Sequence, residues 1–251
     1  MLKILLSGAC GRMGRQVAQL AEEEQALIVA GVDVKAEAWS DFPVYPSFSL
    51  VQESADVIVD FSRPESLPAL LAYAVEHGLP VMLGATGYNE NDFSAIRDAA
   101  QSIPIFASSN LSLGVYVLKT LAHQAARLLP GFDIEIIEKH HNQKIDAPSG
   151  TALMLYDAVQ RNGSVPTFGR NGRTQKREKS EIGIHAIRGG TVAGEHEVGF
   201  YGPSEIVSLH HSAQDRSIFA RGALRAAHFI FSRQPGVFGM DELAQDLLSK
   251  G

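Results

Sequence analysis

Leu2-Lys3-Ile4-Leu5-Leu6-Ser7 runs directly into Gly8-Ala9-Cys10-Gly11-Arg12-Met13-Gly14, and the reading of that junction decides the fold. A short apolar run that ends at a glycine reads as a buried parallel strand. The G-x-x-G-x-x-G that follows stands where G-x-G-x-x-G is commoner, and Arg12 to Glu23 then carries helical apolar spacing. Strand, glycine turn and helix in that order suit a pyrophosphate. Residues without Cβ let the backbone approach the anion, and the helix N-terminus offers N–H groups and the positive end of its dipole. Asp33 closes the next apolar run, nineteen residues after Gly14, where a carboxylate accepts hydrogen bonds from an adenosine ribose.

Outward from this junction the rhythm repeats. Leu27 to Val32, Val57 to Val59, Val81 to Leu83 and Ile103 to Ala107 read as further strands, with helical patterns over Pro64 to Glu76 and Asn91 to Gln101 between them. Alternation of this kind predicts an α/β fold, a Rossmann-like doubly wound parallel sheet with helices on both faces. After Asn110 the pattern changes to a long helix over Gly114 to Leu129 and an alternating strand from Asp133 to Glu138. Ile182 to Arg188 and Glu195 to Phe200, joined across Gly189-Gly190, are expected as adjacent antiparallel strands, followed by Ile206 to His211. The expectation is therefore a second α+β domain on a mixed or antiparallel sheet. Helices over Arg221 to Phe231 and Met240 to Leu248 are expected to return to the first domain, giving 1–110 with 222–251 as the dinucleotide-binding domain and 111–221 as a second, substrate-binding domain. Gly163 to Lys179, rich in glycine and basic residues, reads as a mobile surface loop.

Composition excludes several classes of function. Among 251 residues, 22 are basic and 28 acidic, a formal net charge of -6, which argues against a broad grip on nucleic acid. Cys10 is the single cysteine, so neither an internal disulfide nor a multi-cysteine zinc site is available, and a reducing, cytoplasmic setting is expected. No signal peptide and no membrane-spanning run is expected. Glu195-His196-Glu197 and His210-His211 lack the spacing of H-E-x-x-H, so no metal site is expected.

Two further groups of residues carry chemistry. Asp60-Phe61-Ser62, Gly84-Ala85-Thr86-Gly87 and Ser108-Ser109-Asn110 each follow an apolar strand and so fall at the carboxyl edge of the sheet, where ligands bind in this fold. Glu138 to Ala152 joins the end of an alternating strand to a helix start. There Ser149, Gly150 and Thr151 present backbone N–H groups and hydroxyls to a carboxylate, Lys144 adds a cation, and a histidine delivers a proton near neutral pH. Neighbours on a strand point to opposite sides, so either one of His140 and His141 faces away from the site, or the strand has already ended and both face it.

Gly8 to Gly14, Gly84 to Gly87, Ser108 to Asn110 and above all H-H-x-x-K-x-D-A-P-S-G-T over His140 to Thr151 resemble the dihydrodipicolinate reductase family across nearly the whole chain. The resemblance implies NADH- or NADPH-dependent reduction of hydroxy-tetrahydrodipicolinate in diaminopimelate and lysine synthesis, by a cytoplasmic homotetramer assembled through the second domain's sheet. It implies His140 as proton donor and Lys144 as its cationic partner, with His141, Gly150 and Thr151 on the substrate carboxylates. Gly8, Ala9, Cys10, Gly11, Arg12, Met13, Asp33, Gly84, Ala85, Thr86, Ser108, Ser109, Asn110 and Leu111 are implied to hold the cofactor, with Arg63 approaching the same site. At position 34, where NADP users of the family often carry a basic residue, Val34 stands with Lys35 after it, so the sequence leaves the choice between NADH and NADPH open. The resemblance implies hydride addition to the ring of a cyclic, unsaturated imine dicarboxylate; negative charge then accumulates as an enamine that Lys144 stabilises, and His140 completes the reduction by protonating the adjacent carbon. A hinge near Asn110 and Arg221 is expected to close cofactor and substrate together. The competing reading is a non-catalytic NAD(H)-sensing regulator that uses Arg170 to Lys179 as a contact surface.

Overall fold

The computed structural model describes residues 1–37, 39–172 and 175–250. Arg173 and Thr174, inside the stretch suggested as a regulator's contact surface, lie outside the described residues. The chain divides into two compact units, Met1–Leu111 with Ser217–Gly251, and Ser112–Arg216.

The first unit is built on a sheet whose seven strands are all parallel. They are β1 (Leu2–Ser7), β2 (Ala26–Val32), β3 (Val44–Tyr45), β4 (Val57–Asp60), β5 (Val81–Leu83), β6 (Pro104–Ala107) and β12 (Gly236–Phe238), in the order β12-β6-β5-β4-β1-β2-β3. The strands are apolar on both faces because helices cover both. Leu5, Ile58, Leu83 and Ile105 pack with Leu70, Leu71, Ala74 and Ile96 of α2 (Leu67–His77) and α3 (Glu90–Ala99). On the opposite face α6 (Ser217–Ile230) lies against β4, β5 and β6, and Phe229 meets Phe106 edge to face at 6.1 Å. Alongside it runs α1 (Arg12–Leu20), and α7 (Met240–Lys250) closes the chain. Glycine permits one close approach here, since a Cβ on Gly222 of α6 would stand 1.8 Å from the Leu111 carbonyl oxygen. Strand order reverses between β1 and β4, and that reversal opens a crevice at their carboxyl ends.

The second unit is a mixed sheet of β7 (Asp133–His140), β8 (Val165–Phe168), β9 (Glu181–Arg188), β10 (Gly194–Tyr201) and β11 (Ile206–Ala213), in the order β11-β10-β7-β9-β8. Helices α4 (Leu113–Leu128) and α5 (Gly150–Val159) bury Leu118, Ala122, Leu155 and Val159 against Ile134, Ile136, Ile184, Val198 and Phe200. β10 and β11 form an antiparallel pair, but β9 and β10, expected as adjacent antiparallel strands, are not neighbours. The chain passes from β7 through α5 and returns beside β7 in parallel, so β9 takes one edge of β7 and β10 is left the other. Gly189-Gly190 therefore does not make a hairpin. It steps across the end of β7, where Gly189 N–H donates to the His140 carbonyl at 2.9 Å and Asn142 N–H donates to the Gly190 carbonyl at 3.2 Å.

The expected mobile loop over Gly163 to Lys179 is also corrected. Val165–Phe168 is an edge strand paired with β9, and Arg177 donates to Glu135 at 3.0 Å and to Asp133 at 2.7 Å. Alternation along the two-residue β3 and three-residue β12 is too short to register as a strand in the sequence. No helix among the described residues is long and apolar enough to cross a membrane.

Candidate functional site

In the first unit, Ser7, Gly8, Cys10, Gly11, Asp33, Lys35, Phe61, Ser62 and Arg63 line a cavity of about 930 Å3 at the crevice between β1 and β4. Its floor exists because two glycines let backbone meet backbone. Gly8 has φ +74, and a Cβ there would come within 2.6 Å of the Phe61 carbonyl carbon and oxygen. A Cβ on Gly14, in the first turn of α1, would stand 2.3 Å from the Gly8 carbonyl oxygen. The N-cap of α1 is Gly11, which supplies no side-chain acceptor, so the first turn keeps its N–H groups for an incoming anion. Asp33 is fixed at the second strand's end. Its Oδ2 accepts Cys10 N–H at 3.0 Å and its Oδ1 accepts Lys35 N–H at 3.1 Å, which ties the acid to the glycine turn. A cradle only glycine fits, an uncapped helix start and an anchored acid in one crevice suit a dinucleotide.

The other residues expected at the cofactor divide by position. Ala9 is buried beneath the turn, while Arg12 and Met13 open α1. Gly84, Ala85 and Thr86 leave the carboxyl end of β5, where Gly84 makes room for the Phe61 ring. Ser108, Ser109, Asn110 and Leu111 leave the same end of β6, with Ser108 Oγ donating to the Asn110 carbonyl at 2.7 Å. These two segments share the sheet edge with Gly8 but do not line the cavity. Asp60 is not a lining residue either. It is buried and accepts Ser62 N–H at 3.1 Å and Ser62 Oγ–H at 2.5 Å, bracing the turn whose Phe61 and Ser62 do line it. Burial pushes the Asp60 carboxyl pKa up, against the lowering by its hydrogen bonds.

In the second unit the chemistry gathers at the carboxyl end of β7. Ile134, Ile136, Glu138 and His140 alternate inward along the strand, so a glutamate and a histidine occupy the positions that two isoleucines hold lower down. Glu138 is completely buried and carries four hydrogen bonds. Oε1 accepts Arg188 Nη2 at 2.8 Å and Ser149 N–H at 3.0 Å, and Oε2 accepts Arg188 Nη1 at 2.8 Å and meets His140 Nδ1 at 2.5 Å. Burial opposes ionisation of Glu138, but the donors from Arg188, His140 and Ser149 outweigh it and hold the carboxyl below its usual range. Burial also draws the His140 imidazole below its ordinary value, the Lys144 and Arg188 charges act in the same sense, and Glu138 opposes them. His196, opposite Glu138 on β10, stands edge to face with His140 at 5.2 Å and meets Ser149 Oγ at 3.2 Å; burial, with the neighbouring His140, brings its pKa down to about 4.

β7 ends at His140, so His141 belongs to the following turn, and its Nε2 lies 3.4 Å from the Arg216 guanidinium. Lys144 extends Nζ to Asp146 Oδ1 at 2.7 Å, and that bond holds the exposed Asp146 carboxyl below its ordinary range. Gly150 and Thr151 open α5 behind Ser149, whose Oγ caps the helix by accepting Ala152 N–H at 3.2 Å. The structure thus gathers His140, Lys144 and the start of α5 around Glu138. Arg188 and His196 complete the cluster, and neither stands out as a partner in the sequence. The one available signal is parity: Glu138 falls on the inward register of β7, and a buried carboxylate requires a cation. Among the described residues no group of acidic, histidine or cysteine side chains is arranged to hold a metal ion.

Residues 2–111 match the dihydrodipicolinate reductase N-terminus and residues 114–244 match the dihydrodipicolinate reductase C-terminus. A 4-hydroxy-tetrahydrodipicolinate reductase of Caldanaerobacter subterraneus subsp. tengcongensis is 47% identical over 98% of this chain and 99% of its own. One from Clostridium novyi is 43% identical over 97% and 98% respectively. Among solved structures, a dipicolinate-bound dihydrodipicolinate reductase from Paenisporosarcina sp. TG-14 superimposes with a TM-score of 0.79 at 21% identity, over 96% of this chain and 99% of that one, which supports the fold. Two domain matches that together span nearly the whole sequence, and relatives of equal length, place the chain in the dihydrodipicolinate reductase family.

Proposed function

We propose that the two sites serve one reaction, reduction of 4-hydroxy-tetrahydrodipicolinate with NADH or NADPH as electron donor, and that the residues gathered around Glu138 carry its proton chemistry. The observation that carries this reading is the inward Glu138–His140 pair beside Lys144 and the α5 start, in a chain 47% identical to a reductase of that name. The competing regulator has no support among these relatives.

In this reading Gly8, Ala9, Cys10, Gly11, Arg12 and Met13 hold the pyrophosphate, Asp33 the adenosine ribose, and Gly84 to Thr86 with Ser108 to Leu111 the nicotinamide end. Bound there, the reduced nicotinamide supplies a hydride. The substrate is a cyclic dicarboxylate. One carboxylate is received by the Gly150 and Thr151 N–H groups at the positive end of α5, the other by His141. An incoming carboxylate competes with the exposed Asp146 for Lys144, whose Nζ then lies where negative charge develops during reduction. The ring, once its hydroxyl has left as water, is a conjugated unsaturated imine; it takes up the hydride and becomes an enamine, and His140 gives its proton to the carbon adjacent to the one reduced. Met1–Leu111 with Ser217–Gly251 acts as the cofactor domain and Ser112–Arg216 as the substrate domain.

Four chains assembling through the uncovered face of the β11-β10-β7-β9-β8 sheet, and residence in the cytoplasm, complete the reading. That face presents Ile187 and Ile206, 48% and 62% exposed, among Lys139, Glu195 and His210. The test is a steady-state assay with the cyclic imine and each reduced nicotinamide, following loss of the reduced-cofactor absorbance. Substrate-dependent oxidation, inhibited by pyridine-2,6-dicarboxylate, is expected; cofactor binding without turnover would reject the reading. Sedimentation equilibrium tests the tetramer.

A further inference from the structure

The hydrogen bonds of Glu138 have a consequence for the proton donor. A carboxylate has about four acceptor positions and, when ionised, no hydrogen to give. On Glu138 all four are taken: two by the Arg188 guanidinium, one by Ser149 N–H and one by His140 Nδ1. Bidentate pairing with an arginine fixes Glu138 as the anion. The hydrogen between Glu138 and His140 therefore belongs to Nδ1. His140 Nε2 is left as the atom that exchanges protons, on the side where Gly194 of β10 has no side chain; a Cβ there would stand 3.1 Å from Nε2. The same carboxylate holds the backbone of Ser149, immediately before the α5 N–H groups. One buried charge thus sets the ring of the donor and the start of the anion-binding helix together.

We propose that Glu138 is the positioning residue of this enzyme, held ionised by Arg188, and that it locks His140 in the Nδ1–H form so that protonation of the substrate takes place only from Nε2 of the imidazolium. The proposal rests on the reading of His140 as proton donor. It has a definite chemical balance. The imidazolium loses its Nε2 proton to the substrate carbon, a C–H bond forms, and neutral His140 remains bonded to Glu138 through Nδ1–H until solvent restores the second proton. The charged or titratable groups facing His140 are Glu138 from its own strand, Arg188 from β9, His196 from β10 and Lys144 from the turn after β7; of these, Glu138 alone favours the imidazolium.

The test begins on the wild-type protein, so it does not depend on a variant that folds. Nitrogen-15 correlation spectra of the histidine rings, recorded above the pKa of His140, are expected to show Nδ1 protonated and Nε2 bare. An Nε2–H tautomer overturns the proposal and leaves His140 as donor intact. Full activity of His140→Gln overturns that donor reading and the proposal with it. Glu138→Gln then measures the effect of the charge. Because kcat needs the imidazolium, its alkaline limb should move to lower pH by about 1–3 units, the range for losing an adjacent opposite charge. kcat at neutral pH should fall about 10²-fold or more, as for lost general-acid assistance, with KM for NADH unchanged. An unmoved alkaline limb in a folded Glu138→Gln enzyme would overturn the proposal.

Discussion

Replacing Gly14 with alanine sets two opposed effects of known size against each other. In an exposed helix the change would be favourable by about 1 kcal/mol, because alanine restricts the unfolded chain and suits the helix. At this position the new methyl would stand 2.3 Å from the Gly8 carbonyl oxygen, 2.8 Å from the Ala9 carbonyl oxygen and 2.9 Å from Ala9 Cα. Ordinary carbon contacts begin near ~3.5 Å, so the shortfall is about 1 Å, and all three neighbours are backbone that no rotamer change can move. Forcing a methyl group into a filled space costs about 1–3 kcal/mol, and a rigid backbone contact belongs at the upper end. The net expectation is a loss of about 1–2 kcal/mol, through displacement of α1 from the glycine turn. Because the uncapped first turn of α1 is the proposed pyrophosphate site, NADH should bind about 10-fold more weakly, each decade corresponding to ~1.4 kcal/mol. Calorimetric melting and NADH fluorescence titration read the two effects separately, with Gly131→Ala, where nothing lies within 4 Å of the added Cβ, as the control. A Gly14→Ala protein that binds NADH within twofold of the wild type and melts no lower would refute the assignment.

Lys144→Ala should reduce kcat by about 10²-fold or more while leaving NADH affinity near its original value, and stopped-flow reduction of the imine would check it. Asp33→Ala should weaken NADH more than NADPH, since the proposed reading has the lost acceptor serve a ribose hydroxyl; dissociation constants for both cofactors decide, and equal weakening would discount the placement. His196 makes the fold acid-sensitive in a particular window. Its folded pKa of about 4 lies below its ordinary 6.5, so between those values the unfolded chain binds a proton that the native site refuses. Stability is then complete above the upper value and is lost as pH falls toward the lower, by roughly 3 kcal/mol at most; His140 acts in the same sense. Urea titrations of His196→Asn across that window should give a flatter pH dependence than the wild type.

Local features were legible and non-local ones were not. The β1-turn-α1 junction can be read because its strand, glycines and helix are consecutive, and so can the alternation of β7. The neighbours of β7 cannot be read in this way. Gly189-Gly190 between two apolar runs has the form of a hairpin, yet the crossover through α5 claims one edge of β7 for β9, and the two glycines serve to carry the chain over the strand's end. The loop ahead of β9 reads as mobile because glycine, proline and basic residues are frequent in it. Pairing of Val165–Phe168 with β9 and of Arg177 with Glu135 and Asp133 depends on residues far along the chain.

Glu138 shows where the boundary lies. Its inward register follows from Ile134 and Ile136 four and two positions earlier, and burial of a carboxylate at that depth demands a cation and several donors. The sequence offers 22 lysines and arginines, and nothing local singles out Arg188, fifty residues on. Topology makes the choice. In the parallel β7–β9 register Arg188 pairs with His140 at the ends of both strands, which puts its guanidinium within reach of the carboxylate two residues back. The crossover that the glycine pair conceals is therefore also what supplies the counter-charge, so strand order and the hydrogen bonding of the Glu138–His140 pair have a single structural cause.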